Sequence, residues 1–503
     1  MQRRDFVKSL AAMGITSALP MSALAQLGNS TAVNVKTLFN QALAKDPAYI
    51  GFANVEGDFA PKKLAIEGKI PTDLKGMFVR NGPAKHERGD QRYRHLFEGD
   101  GMVQQFQIAD GNIVHQGKFL QTPKFVQEEK AGRFLFSGPD TRIKGSLGVS
   151  NADQVNVANT NIIPVNGDLW ALWEGGSATE IDAESLAYKR QVNLGEGTSF
   201  GNQLKNLPFS AHPKIDPNGD IWNFGANSSG HIIVYHLSPK GRLKNMRLVP
   251  SNYKGGMLHD FLITKDYVLI VLPSLIRHRH KQGLFNSIGM DNKLPMQVLV
   301  LDKNTLEVAK QYELPPGFVF HFGNAWQDKQ KNIHFDASLY SDVGVLHELS
   351  DVMLGKKVKH RTNAYTTWFT LHNNGQVSQH TFPEISEFPR VCNHLTGIQN
   401  RFLFHLSCKE HSLWSDSVVA RDLQRDTTSQ FEYGSDYLVE EHIPICPTGK
   451  EGKGYLIGTA LHVPTKRTCL NIFNMTNVAD GPIARAWLPY HLPLGFHGNF
   501  ISA

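Results

Sequence analysis

The sequence predicts an all-β chain, with a β-propeller favoured over a β-sandwich array or two barrels. Three observations carry that prediction. Helical periodicity is scarce beyond a short polar lead-in at 32–46. Short apolar or alternating runs, of strand length, are separated by turn signals. Four histidines in strand-like, apolar surroundings are spread over nearly the whole chain, and blades arranged radially let inner strands from such distant segments meet on one axis.

The chain has 503 residues, 41% hydrophobic and 19% charged, which is ordinary globular material for a large core. Length alone suggests about three domains, but a repeat architecture also runs this long as one unit, and 26–503 reads as a single propeller. A net charge of +6 is spread along the chain, so no clustered basic footprint for nucleic acid exists. The cysteines are Cys392, Cys408, Cys446 and Cys469, with no Cys-x-x-Cys pair. Zinc-ribbon and thioredoxin readings therefore fail, and four free buried thiols are the favoured expectation, with a disulfide between two of them left open.

In chain order, residues 1–25 read as a targeting segment. Arg3-Arg4-Asp5-Phe6-Val7-Lys8 is a twin-arginine signature, followed by an apolar run to Leu24 and a small-x-small cleavage site at Ala23-Leu24-Ala25. A membrane span needs about 20 predominantly apolar residues, and this run is too short and too rich in Ala, Gly and Ser. The expectation is a mature chain starting near Gln26, exported folded to the periplasm.

The strand signals follow. Asn166-Gly167-Asp168 precedes Leu169–Leu172, Asn218-Gly219-Asp220 precedes Ile221–Phe224, Lys265-Asp266 precedes Tyr267–Leu272, and Asn374-Gly375 precedes Gln376-Val377. A strand, an acidic turn and a departing strand recur at 179–186 and 300–307. Two loops stand out. In 275–290 the basic cluster Arg277-His278-Arg279-His280-Lys281 adjoins Leu284, Phe285 and Ile288. It reads either as a membrane-surface segment or as a solvated loop over the propeller face. The basic run 356–361 reads as a solvated face.

The four histidines are His212, His259, His321 and His497, each beside aromatic or aliphatic residues with Pro, Asp or Gly nearby. Neutral imidazole is the commonest metal ligand. A site of four imidazoles without an anionic ligand favours Fe, Cu, Ni or Zn over Mg or Ca. Ligating imidazoles need their second N–H held, often by a carboxylate, and Glu174, Glu387 and Glu441 lie in strand-like segments able to supply one.

Gly76-Met77-Phe78-Val79-Arg80-Asn81-Gly82-Pro83 and His95-Leu96-Phe97-Glu98-Gly99-Asp100-Gly101-Met102, with the four histidine contexts and the closing Gly495-Phe496-His497-Gly498, resemble the carotenoid cleavage oxygenases. The resemblance runs from about Phe52 to the C-terminus. It implies a seven-bladed propeller, capped by loops on one face, with non-haem Fe(II) on the axis held by His212, His259, His321 and His497. Glu174, Glu387 and Glu441 would stand behind the last three. Glu440 precedes Glu441, and His442 stands where the family usually has proline. Thr160 matches a threonine near the oxygen-binding position of apocarotenoid-cleaving members.

The implied reaction is cleavage of a conjugated C=C bond of a carotenoid or apocarotenoid by O2, giving two carbonyl products. The partners implied are thus an apolar polyene and O2, with Phe97, Trp173, Phe320 and Phe496 as candidate tunnel walls. Members that cleave phenolic stilbenes carry a lysine just before the first of these glutamates. Trp173 stands there, which argues against a lignostilbene-type substrate. The rivals are a metal-free binding propeller, which the intact His and Glu set disfavours, and a quinoprotein dehydrogenase or lactonase, whose carboxylate-rich calcium site is missing.

Overall fold

A computed structural model describes residues 34–227, 230–358, 361–409 and 412–503. The targeting segment at 1–25 lies outside the described residues. Seven antiparallel sheets surround one axis, as the resemblance implies. Five blades are four-stranded and consecutive in sequence: blade 2 (161–191), blade 3 (214–249), blade 4 (262–314), blade 5 (318–385) and blade 6 (387–432).

Blades 1 and 7 close the ring by exchanging the chain ends. The last strand, His497–Ser502, is the innermost strand of blade 1 and pairs with Gly76–Lys85, His497 standing opposite Asn81. The early strand Ala65–Gly68 is the outermost strand of blade 7 and pairs with Ala484–Trp487. Inner strands touch from blade to blade: His497–Ser502 meets both Asn161–Val165 and Tyr437–Ile445, and Phe318–Gln327 meets Glu387–Arg390.

The hydrophobic core is divided among the gaps between blades. Val298, Val300 and Tyr312 of blade 4 pack on Phe322, Phe335 and Phe369 of blade 5. Phe78 and Phe106 of blade 1 pack on Ile457, Leu470 and Ile472 of blade 7. Middle strands are covered on both faces, so Tyr267–Leu272 is a continuous apolar run. Outer strands wet one face, so Val308–Leu314 alternates. Burying each such side chain stabilises the fold by about 1.5–3 kcal/mol.

The recurring acidic turn is one hairpin used between the third and fourth strands of a blade. In blade 2, Asp182 Oδ1 accepts from the backbone N–H of Ser185 at 2.8 Å, and Leu186 takes a left-handed φ of 57°. In blade 4, Asp302 Oδ1 accepts from Asn304 and Thr305, and Leu306 has φ 56°. Blade 6 repeats it with Asp422 accepting from Gln424 and Arg425, its left-handed position filled by Asp426. There the hydroxyl residue and leucine of the other two turns (Ser185-Leu186 and Thr305-Leu306) are replaced by Arg425-Asp426, which hides the echo in the sequence.

The expectation of four free thiols is corrected for one pair. Cys392 follows the inner strand of blade 6 and Cys446 follows that of blade 7; folding brings their Cα atoms to 6.5 Å, and they form a disulfide. Their 54-residue separation concealed the pairing, because it arises from neighbouring blades. Cys408 and Cys469 are free and buried.

Insertions cap one face. The helix Val35–Lys45, N-capped by the Asn34 side chain, matches the expected lead-in. The helix Gly344–Met353 is inserted in blade 5. The basic loop in blade 4 is a hairpin, Leu275–Arg277 against Ile288–Met290. Its apolar residues Phe285 and Ile288 are buried beneath the cap, leaving Arg279, His280 and Lys281 exposed.

Candidate metal centre and cavity

The four histidines meet on the axis. His212 and His259 lie just before the inner strands of blades 3 and 4, His321 lies at a bulge in that of blade 5, and His497 opens that of blade 1. A donor nitrogen from each lies within 4.8 Å of all the others, and all four residues are buried. His212 Nε2 is 2.9 Å from His259 Nε2, which is 3.3 Å from His321 Nε2. The His321 and His497 rings lie 4.9 Å apart.

Three of the rings are held from behind. Glu174 Oε1 pairs with His259 Nδ1. Glu387 Oε2 is 2.5 Å from His321 Nδ1 and Glu441 Oε1 is 3.0 Å from His497 Nδ1. A carboxylate at Nδ1 takes the N–H of that nitrogen, so the Nε2 lone pair turns inward. His212 has no carboxylate partner among the described residues.

The carboxylates are themselves fixed. Tyr340 donates its hydroxyl to Glu387 Oε1 at 2.8 Å. Gly498 donates its N–H to Glu441 Oε2 at 2.8 Å, and Arg390 lies 3.4 Å from Glu441 Oε1. Glu440 and Glu441 part ways. Glu440 accepts from Arg80 at 2.7 Å, while Glu441 faces the axis, the divergence expected of successive strand residues.

These residues fit a divalent cation. Inward lone pairs at about 3 Å repel one another unless a positive charge lies between them. Burial, and then the facing histidines, hold His212 well below the ordinary imidazole range. Burial pushes His497 down to about 4 against the pull of Glu441. Despite its burial, His321 is pulled the other way by Glu387, above the ordinary imidazole range, so it is at His212 and His497 that a proton is a poor substitute for a metal. Burial works against ionising Glu441, yet Arg390 and His497 hold it at about 2. Against its burial, Glu387 is likewise held below the usual carboxylate range by His321, so the carboxylates behind the rings suit a cation at the centre. An all-imidazole set suits iron, copper, nickel or zinc.

A cavity of about 140 Å³ opens over the histidines. Phe97, Trp173, Phe320 and Phe496, the four aromatics singled out in the sequence, all line it, as does Thr160. The Thr160 hydroxyl donates to Asn159 Oδ1 at 3.0 Å. Phe97 is the hub, meeting Phe285, Phe320 and Phe496 edge-on at centroid distances of 5.4, 6.2 and 5.4 Å. A second cavity of about 220 Å³ shares Phe97, Trp173, Glu174 and Phe285 with the first, so apolar space extends both ways from the Trp173–Glu174 segment.

The opening phrases at 76–83 and 95–102 serve the scaffold. Glu98 accepts from the backbone of Asp140 and Thr141 at 2.8 Å each. Asp100 pairs with Arg88 and Lys124 at 2.6 and 2.7 Å, all buried. A Cβ at Gly101 would sit 2.5 Å from the Ala158 carbonyl oxygen, so only glycine permits that approach of blade 1 to the segment carrying Thr160.

Residues 52–502 match the profile of the family described as retinal pigment epithelial membrane protein. The chain belongs to that family. Among curated members, it is 26% identical to apocarotenoid-15,15'-oxygenase of Synechocystis sp., over 86% of this chain and 92% of that one. It is 28% identical to lignostilbene-alpha,beta-dioxygenase isozyme III of Sphingomonas paucimobilis, over 89% and 95%. The solved structure of a Synechocystis apocarotenoid oxygenase mutant matches with a TM-score of 0.80 at 24% identity, covering 91% of this chain and 99% of that one. Its likeness establishes the fold.

Sequence reasoning missed several residues of the retinal pigment epithelial membrane protein-type site. Tyr340 and Arg390 lie in ordinary-looking strands. Phe285 sits in a loop whose basic neighbours suggested a surface. Arg361 ends a basic run, yet it turns inward and lines the cavity with Val358.

Proposed function

We propose that the chain is a non-haem Fe(II) dioxygenase that cleaves a conjugated C=C bond of a carotenoid or apocarotenoid with O2, giving two carbonyl products. The observation that carries this reading is the four buried, inward-facing imidazoles opening onto an aromatic cavity, in a chain of this family. His212, His259, His321 and His497 would hold the iron, which supplies the site where O2 is activated. Glu174, Glu387 and Glu441 orient three of the rings and balance charge. Thr160 shapes the wall beside the histidines. Phe97, Phe320 and Phe496 exclude water and align an extended polyene by its faces.

The test is anaerobic metal analysis of the purified protein, then addition of O2 with an apocarotenal while polyene absorbance is followed. About one iron per chain, with bleaching and two carbonyl products, supports the reading. Failure to retain any metal after iron reconstitution overturns it.

Relatedness to the lignostilbene enzyme keeps a stilbene substrate as the second reading. Trp173 lines the cavity immediately before Glu174, at the position of the lysine in stilbene-cleaving members. Trp173→Lys is expected to raise the rate on a phenolic stilbene relative to an apocarotenal by tenfold or more. An unchanged ratio of kcat/KM values would remove Trp173 as the discriminating position.

The twin-arginine segment supports export of the folded protein to the periplasm. Replacing Arg3 and Arg4 together by lysine is expected to retain the protein in the cytoplasm with an uncleaved N-terminus, read by fractionation and intact mass. Contact with an anionic membrane surface would run through the exposed Arg279, His280 and Lys281, by charge rather than by insertion of the buried Phe285.

A further inference from the structure

The helix Gly344–Met353 presents Val345, Glu348, Leu349 and Val352 to the cavity. Their spacing is i, i+3, i+4, i+7, one face of a helix. Three of the four are aliphatic, as a wall for an apolar ligand requires. The fourth is a carboxylate where leucine would pack equally well. Burying a carboxylate in an apolar wall is unfavourable unless it has partners, and burial does push the Glu348 carboxyl up, with Thr362 and Arg361 pulling it back.

The facing wall holds the complement. Thr362 donates its backbone N–H to Glu348 Oε1 at 2.6 Å. Arg361, next to it, lines the same cavity. Among the described residues its side chain makes one hydrogen bond, from Nη1 to the Ser412 carbonyl oxygen at 3.2 Å, and no ion pair. A guanidinium carries five N–H donors and a carboxylate about four acceptor sites, so both groups keep unused capacity in an otherwise apolar space. The group that suits them together both accepts and donates. A hydroxyl does so, whereas an aldehyde only accepts and a carboxylate would be repelled by Glu348.

We infer that Glu348 and Arg361 form a hydroxyl-binding subsite at one end of the substrate cavity, holding the alcohol or phenol oxygen of a conjugated, otherwise apolar chain. Arg361 donates to that oxygen, and the oxygen donates its proton to Glu348. This inference rests on the oxygenase reading for the cavity's use and adds that one end of the substrate is hydroxylated. Neither residue touches the histidines; they set which end enters and how far.

The test is equilibrium binding under anaerobic conditions, read by quenching of Trp173 and Trp414, both of which line the cavity. The probes are an apocarotenol and its methyl ether, and 4-hydroxystilbene and 4-methoxystilbene. At least one free hydroxyl compound is expected to bind tenfold or more tightly than its ether, in line with a hydrogen bond to a charged group. The pair that discriminates identifies the source as alcohol or phenol. Arg361→Met and Glu348→Leu should each shrink the gap below about threefold, while Arg361→Lys restores part of it. Thermal melting checks that the variants fold. Equal binding of hydroxyl compound and ether in both pairs, or a gap that survives both variants, overturns the subsite. Discrimination without cleavage under O2 would sink the oxygenase reading and spare the subsite; cleavage without discrimination would do the reverse.

Discussion

His259→Ala is expected to fold as a propeller and lose most of its metal. His259 sits at the centre of the cluster, with Nε2 groups of His212 and His321 at 2.9 and 3.3 Å, and its Nδ1 is paired with Glu174. Removing an outer carboxylate from such a site typically weakens metal binding by about 10–100-fold. Removing the ligand itself should exceed that, so metal content after dialysis should fall to a small fraction of wild type. Activity should fall with it. Glu174→Gln, by contrast, should retain the ring and lie within the 10–100-fold range. The fold should survive because the histidine precedes its strand, Leu262–Ile263, and the surrounding core of Leu258, Phe261, Val268 and Leu301 is untouched. Metal analysis beside a far-ultraviolet dichroism spectrum checks both halves. Full metal occupancy in His259→Ala would show that this ring is not a ligand.

Arg80→Met should produce the largest loss of stability. Arg80 lies in the second strand of blade 1 and Glu440 in the inner strand of blade 7, and both are buried, with 2.7 Å between Nη1 and Oε1. Glu440 also accepts from the Gly495 N–H and the Thr459 hydroxyl, and Arg80 Nη2 donates to the Pro493 carbonyl at 3.1 Å. The pair therefore ties both closing blades to the segment leading into His497. Taking one partner away strands a buried charge, which costs about 3–5 kcal/mol. Arg80→Met with Glu440→Leu should recover much of that, since neither charge is then left alone. Denaturant unfolding of the two variants tests this; a double variant no more stable than Arg80→Met would mean that the hydrogen bonds, rather than the stranded carboxylate, carry the cost.

Much of this architecture was legible in the sequence because it is locally encoded. Turn residues and short apolar runs mark the strands, and the Asp182 and Asp302 phrases mark one hairpin that returns in blade after blade. The clustered histidines were legible because a polar ring amid Phe, Gly and Pro has few structural uses. Glu441 was chosen over Glu440 through the family resemblance, and the local residues alone do not separate them, since two adjacent carboxylates differ only in the side of the strand from which they leave. The pairing of Cys392 with Cys446 was not deducible for a similar reason: their meeting depends on two blades being neighbours. Arg361 was read as solvated because it ends a run with three lysines. Its inward turn is imposed by the cap helix at 344–353 and by the Ser412 carbonyl that it meets, neither of which the local sequence announces.

The closure of the ring has a consequence for biogenesis. His497 is carried by a strand that takes its place only by pairing with Gly76–Lys85, more than 400 positions earlier. Until that strand has docked, the cluster is one imidazole short and the inner wall of blade 1 is missing. Completion of the four-histidine cluster thus reports that the circle is shut. A chain whose closing strand has not docked would be open and short of one ring at the same time.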